Sequence, residues 1–141
     1  MKKKKIYIGC ALSSLSLEDR TNLLENISKL KEKIKDSFEI LEFFWVRMDP
    51  SKATPEEVYR VDIEECVMVA DCMLAICDYP SLGLGYEMAT AIEKRGIPVL
   101  AVAHKNSMVS KLITGVNHKN FKFVRYDSFD EVFQKVIQLL Q

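Results

Sequence analysis

The chain has 141 residues, 48% of them apolar, and its twenty basic residues balance twenty acidic ones. That length suits one domain, residues 1–141, with a sizeable core, and the charge balance argues against a general nucleic-acid binder, which would carry a basic excess. No apolar run approaches the roughly 20 residues of a membrane span, and the four cysteines form no CxxC pair and have no histidine nearby, which argues against a metal site and fits a reducing cytoplasm.

Lys2–Lys5 reads as a solvated basic leader, and the apolar stretch after it is too short for a signal peptide. Lys5–Ala11 reads as a first strand, apolar on both faces. Ser16 opens a helix in which Leu23, Ile27, Leu30 and Ile34 fall at helical spacing. Phe38–Val46, rich in aromatic and branched residues, reads as a second strand, with Trp45 as core or interface. Thr54-Pro55-Glu56-Glu57 has the form of a capping box with proline at the first helical position. The helix it opens puts Tyr59, Ile63, Cys66, Val67 and Ala70 on one face, with Asp62 on its shoulder.

Cys72–Asp78 reads as a third strand. It leads through Pro80-Ser81-Leu82-Gly83-Leu84-Gly85 into a helix Tyr86–Arg95 that ends at Gly96. Glu87 then falls in the first helical turn. There the positive end of the helix would hold its carboxylate ionised, and the glycines would let backbone N–H groups approach an anion. A tight strand-to-helix turn explains the same residues without a ligand. Pro98–Ala103 is a fourth strand, Ser107–Thr114 a short helix, and Phe121–Tyr126 a fifth strand. Ser128 and Glu131 form a second capping box before a last helix with Phe129, Val132, Phe133, Val136 and Leu140 inward.

Apolar strands alternating with helices predict an α/β fold: a doubly wound, five-stranded parallel sheet between two helical layers, Rossmann- or flavodoxin-like, in the order 2-1-3-4-5. In that order the first loop, Cys10–Ser14, and the loop Tyr79–Gly85 face each other across the switch-point crevice. Tyr7, Asp62, Asp78, Ser81 and Glu87 come within its reach. Carboxylates and a tyrosine, without metal ligands, suit displacement at a sugar carbon, as in retaining glycosidases. Met88 stands where a dinucleotide fingerprint wants its last glycine, and no Walker loop is present. No cofactor is expected.

The run Pro80–Glu87, with Asp71 before it and Gly96-Ile97-Pro98-Val99-Leu100 after it, resembles the nucleoside 2-deoxyribosyltransferase family, and within it the 2′-deoxynucleoside 5′-phosphate N-hydrolases. The resemblance runs from Ile6-Tyr7 to about Asp127. It implies that Glu87 is the nucleophile at the anomeric carbon, that Tyr7 orients it and that Asp62 handles the proton of the base. It implies that Ser81 binds a 5′-phosphate, and that Ser110 does so from a neighbouring subunit of a homodimer or larger assembly. Gly9, Ser13, Gly83, Gly85 and Asp78 are further expected substrate-binding positions. Asp78 could instead fix its own turn, and Asn120 could reach a partner's site or be loop.

Two departures stand out. The family aspartate lies one residue nearer to the position of Asp71, where this chain has Ile63. Asp62 serves only if its helix absorbs an extra residue. In the first loop, Ala11 and Ser13 replace a serine and an arginine, which removes a charge-assisted phosphate contact. The resulting expectation is a small-molecule enzyme that cleaves the N-glycosidic bond of 2′-deoxynucleosides or their 5′-monophosphates. The alternatives are base exchange on unphosphorylated deoxynucleosides, or a nucleotide-binding module without turnover.

Overall fold

In the computed structural model, which describes residues 2–47 and 49–141 and leaves out the side chain of Pro50, five parallel strands lie in the order β2-β1-β3-β4-β5. They are β1 (Lys4–Cys10), β2 (Phe38–Leu41), β3 (Cys72–Ile76), β4 (Val99–His104) and β5 (Phe121–Tyr126). This is the doubly wound order expected from the apolar strands. Strand β3 is buried throughout, as a strand covered on both faces must be. Its register sets Tyr7 beside Met73 and Cys10 beside Ile76, so the carboxyl ends of β1 and β3 meet at the switch point.

Helix α1 (Leu17–Ile34) is capped by the Ser16 hydroxyl, which accepts from the Asp19 N–H, and buries Leu23, Ile27, Leu30 and Ile34 as its spacing requires. The capping box at Thr54 and Glu57 forms in full and opens α3 (Pro55–Tyr59). At the C-terminal end, α6 (Asp130–Leu140) buries Val132, Val136 and Leu140, while Phe129 and Phe133 pack against the core half-buried. Its capping box is one-sided: Glu131 Oε1 accepts from the Ser128 N–H at 3.2 Å, but no side chain caps the helix in return.

Four expectations need correction. First, the second strand does not run to Val46. It stops at Leu41, and Phe44–Arg47 coil into a short helix, α2. The backbone there is taken by side chains: the Arg47 Nε and the Cys66 thiol both donate to the Glu42 carbonyl, and Asp62 accepts the Phe44 N–H. Second, the helix expected at Tyr86 starts four positions earlier. Helix α4 spans Leu82–Ala89 and continues as π-helical turns over Thr90–Arg95 to Gly96, whose φ of 62° is the left-handed stop. Third, α3 also widens into π-helical turns, over Arg60–Val67, marked by a bond from the Met68 N–H to the carbonyl five residues back, Ile63, at 2.8 Å. Tyr59, expected inward, is therefore exposed, and Val61 is buried instead. Fourth, of the expected Ser107–Thr114 helix only α5 (Lys111–Thr114) forms, capped by Ser110.

Among the described residues no helix is long and apolar enough to cross a membrane.

Gly9 marks where sheet and helix come closest. A Cβ there would sit 2.9 Å from Leu84 Cδ1 and 3.0 Å from Met73 Cε. Gly9→Ala is therefore expected to lower stability by about 1–3 kcal/mol through overpacking. A denaturant midpoint unchanged from wild type would refute this account of the β1–α4 contact.

Candidate active site

Tyr7 projects from the centre of β1 beneath α4 and is almost wholly buried. Its hydroxyl donates to Glu87 Oε2 across 80 residues of sequence. Among the described residues Glu87 is the one charged side chain buried in the core. It does not stand in the first turn of its helix. Because Ser81 caps α4 by accepting the Leu84 N–H at 3.1 Å, Glu87 lies in the second turn. The helix dipole, strongest within the first turn, is therefore not what sets its charge. Burial raises the Glu87 carboxyl to about 8; the Tyr7 hydrogen bond works against that shift, and the charge of Asp62 adds to it. Burial, followed by the charge of Glu87, also holds the Tyr7 phenol well above its usual range.

The π-helical turns decide where Asp62 goes. They absorb one residue between Asp62 and Asp71, so the acid rather than Ile63 reaches the crevice, and Ile63 is buried in the core. Such turns recur at functional sites. Asp62 Oδ1 accepts the Phe44 N–H at 2.8 Å, and among the described residues Oδ2 takes no hydrogen bond. Partial burial raises the Asp62 pKa; the Phe44 hydrogen bond and, after it, the Arg47 charge oppose the rise.

These residues share one cavity of about 200 Å³. Its walls are Tyr7, Cys10, Leu12, Ser13, Phe43, Trp45, Val58, Asp62, Ser81, Gly83, Leu84 and Glu87. Of the expected site residues, it brings together Tyr7, Ser13, Asp62, Ser81, Gly83 and Glu87. Trp45, expected in the core or an interface, is half-exposed on the cavity wall. The short α2 carries it there, a turn hidden in sequence by strand-like residues.

A second, more apolar cavity of about 400 Å³ adjoins the first through Ser81 and Leu84, and Gly85 and Ser110 line it. The remaining expected positions lie elsewhere. Gly9 is covered by Leu84 and Met73. Asp78 lines neither cavity: its carboxylate accepts from the His104 N–H and the Tyr126 hydroxyl, so it fixes the ends of β4 and β5 rather than its own turn. Asn120 donates to the Gly96 carbonyl where β4 and β5 begin, at the end of the sheet opposite the cavities.

Gly83 and Gly85 are helical, not loop, residues. A Cβ on Gly83 would come no closer than 3.8 Å to a neighbour, and one on Gly85 would meet nothing within 4 Å. Helical glycine costs about 0.5–1 kcal/mol relative to alanine, and no close neighbour demands it here. What the missing side chains leave is open space in the cavities. Gly83→Ala is thus expected to raise stability by up to about 1 kcal/mol while lowering the rate on substrate. Parallel gains in melting temperature and turnover would contradict the assignment of that space to a ligand.

A carboxyl that keeps its proton in the fold and loses it when unfolded makes stability fall as pH rises between the two pKa values. For Glu87 that window runs from its ordinary 4.5 to about 8. Glu87→Gln keeps an acceptor for Tyr7 and removes the titration. At pH 8 it should be more stable than wild type by on the order of 2–4 kcal/mol, and near pH 4.5 by little. Equal denaturation curves at both pH values would remove the strained carboxyl from the account.

Comparison with known proteins bears on the family and the fold. No family model matches the chain. A protein of Thermofilum pendens, provisionally named 2′-deoxynucleoside 5′-phosphate N-hydrolase 1, is 32% identical over 142 residues, covering 96% of this chain and 94% of that protein. One of Methanococcoides burtonii with the same provisional name is 38% identical over 65 residues, 46% of this chain and 52% of that one. Among solved structures, the Clostridium botulinum CMP N-glycosidase BcmB superposes with a TM-score of 0.70 at 17% identity, covering 97% of this chain and 100% of that one. A conserved protein of Enterococcus faecalis V583 superposes with a TM-score of 0.66 at 18% identity, covering 99% and 100%. At those identities the two structures speak for the fold alone. The Thermofilum relative matches almost end to end, and the chain accordingly belongs to the 2′-deoxynucleoside 5′-phosphate N-hydrolase family.

Proposed function

We propose that the protein hydrolyses the N-glycosidic bond of 2′-deoxynucleoside 5′-monophosphates through a covalent glycosyl ester on Glu87. As a member of an N-hydrolase family it is an enzyme that acts on the N-glycosidic bond. The observation that carries the finer reading is the buried Tyr7–Glu87 pair facing the same 200 Å³ cavity as Asp62.

The two acids divide the work. The pair sits in a low-dielectric pocket where two negative charges oppose each other, so near neutral pH it holds one proton. In the reactive arrangement that proton is on Asp62 and Glu87 is ionised. A Glu87 carboxylate oxygen attacks C1′ of the sugar as the C1′–N bond breaks. The bonding pair leaves with the base, and Asp62 delivers its proton to the base nitrogen. The Tyr7 hydroxyl fixes the attacking carboxylate. Water then enters, Asp62 takes its proton, the water oxygen bonds to C1′ and Glu87 departs as carboxylate. A cavity this small suits a pentose. Trp45 and Phe43 on the α2 side, the segment that Asp62 holds through Phe44, suit the base.

Ser81 on the cavity wall and the names of the relatives favour a phosphorylated substrate. Ser110 lies outside the cavity that holds Tyr7 and Glu87, on the adjoining one, near Leu82, Met108 and Leu112, which are 97%, 90% and 81% exposed. A second copy seated on these apolar residues would bring its own Ser110 toward the neighbouring site, so a homodimer is part of the reading. The four cysteines are free thiols, in keeping with a reducing compartment such as the cytoplasm. Base exchange on unphosphorylated deoxynucleosides remains the second reading, because it shares the first half-reaction.

The deciding experiment incubates the protein with deoxynucleosides and deoxynucleotides, with and without a second free base. Free base and deoxyribose 5-phosphate are the expected products, and a sugar adduct on Glu87 is expected by mass spectrometry after rapid quenching. Glu87→Ala should abolish turnover in a folded protein, and Asp62→Asn should slow it by about 10²–10⁴-fold. Efficient exchange on unphosphorylated substrate would replace the hydrolase by a transferase.

A further inference from the structure

The cavity has an electrostatic deficit. Among the described residues the charged side chains on its wall are Asp62 and Glu87, both acidic, and no lysine or arginine lines it. A substrate bearing a phosphate dianion needs a cation close by. Two cations of α1 stand behind the wall. Lys31 lies 5.9 Å from the centre of the Phe43 ring but is paired with Glu42 at 2.5 Å. Arg20 has no carboxylate partner among the described residues. Its guanidinium carbon lies 4.9 Å from the centre of the Trp45 ring.

Arg20 also grips the first loop. Its Nε donates to the Leu12 carbonyl at 3.2 Å and its Nη2 to the Leu15 carbonyl at 3.5 Å, while the Leu15 N–H closes a turn onto the same Leu12 carbonyl at 3.2 Å. With both carbonyls drawn to the guanidinium, Ser13 and Ser14 form the tip of the turn. Their N–H groups take no backbone partner among the described residues, and Ser13 lines the cavity. Backbone N–H groups left free in such a turn form an anion-binding concavity, here backed by a full positive charge. Among the described residues the two Nη1 protons take no hydrogen bond.

We propose that Arg20 is the specificity-determining cation for a 5′-phosphorylated substrate. It holds the Leu12–Leu15 turn with its N–H groups toward the cavity and supplies the positive charge that the cavity wall lacks. The inference rests on the N-hydrolase reading for its substrate class, and it adds the residue that selects the phosphate.

Trp45 is the only tryptophan in the chain, so its emission reports directly on its Arg20 neighbour. Deoxyribose 5-phosphate and deoxyribose are titrated into the wild type, Arg20→Met and Arg20→Lys, with affinity from calorimetry and Trp45 emission recorded in parallel. In the wild type the phosphorylated sugar should bind at least tenfold more tightly than deoxyribose, with a saturable change in Trp45 emission. Arg20→Met should lose that preference, and Arg20→Lys, which keeps the charge without the fork, should retain part of it. In turnover, the loss caused by Arg20→Met should be at least tenfold greater on a deoxynucleotide than on the matching deoxynucleoside, and should fall on KM more than on kcat. Equal affinity of the wild type for both sugars, or equal losses on both substrates, would overturn the assignment. If no deoxynucleotide is turned over but binding of the sugar phosphate still depends on Arg20, the hydrolase reading fails and the Arg20 assignment stands.

Discussion

One contact between a strand and a helix organises this protein: the Tyr7 hydroxyl meeting the Glu87 carboxyl beneath α4. The sheet fixes one partner, because β1 is a central strand paired on both sides. The helix fixes the other, because Ser81 sets where α4 begins and Gly9 lets α4 settle against β1. Burying a carboxyl in this way is unfavourable for folding. Much of that cost is relieved by keeping the proton, which is why burial leads the causes of the raised pKa. A residue that disfavours the fold yet is held by a dedicated hydrogen bond is the pattern of a functional group rather than of a packing element.

Asp62 completes the site by a different route. Its helix starts with a full capping box and then loosens into π-helical turns, which shift the phase so that a carboxylate and not an isoleucine reaches the cavity. The same carboxylate anchors α2 through the Phe44 N–H, so the wall carrying Phe43 and Trp45 depends on the acid it faces. In the proposed reaction chemistry and architecture share this one side chain, so removing Asp62 would loosen the wall as well as withdraw the proposed proton donor.

Much of this was legible in sequence, for identifiable reasons. Apolar β3 and β4, the Leu23–Ile34 stripe of α1 and the Thr54 box each obey a local rule that tertiary contacts do not override, and they carry the strand order. That Tyr7, Asp62 and Glu87 meet at one crevice was legible from the strand order, and their expected roles came from the resemblance that runs from Ile6-Tyr7 to about Asp127. The illegible parts depend on contacts between distant residues. Strand β2 ends at Leu41 because Arg47, Cys66 and Asp62 claim the backbone beyond it, and nothing in Phe38–Val46 announces that. The early start of α4 turned on whether Ser81 caps, since Gly83 and Gly85 read equally well as loop. The charge state of Glu87 followed from that same error of position: a first-turn carboxylate is ionised by the helix, whereas a buried second-turn carboxylate is not. The π-helical turns had a faint signal, the one-residue excess between Asp62 and Asp71.

The central claim is that Glu87 is a buried acid whose proton is governed by burial and by its two neighbours. Carbon-13 NMR of glutamate-labelled protein, with Glu87→Gln used to assign its carboxyl signal, reports that proton directly. The account predicts that the Glu87 carboxyl titrates near pH 8 in the wild type and at lower pH in Asp62→Asn, where the opposing charge is gone. A carboxyl titrating near its ordinary 4.5 in both proteins would contradict it.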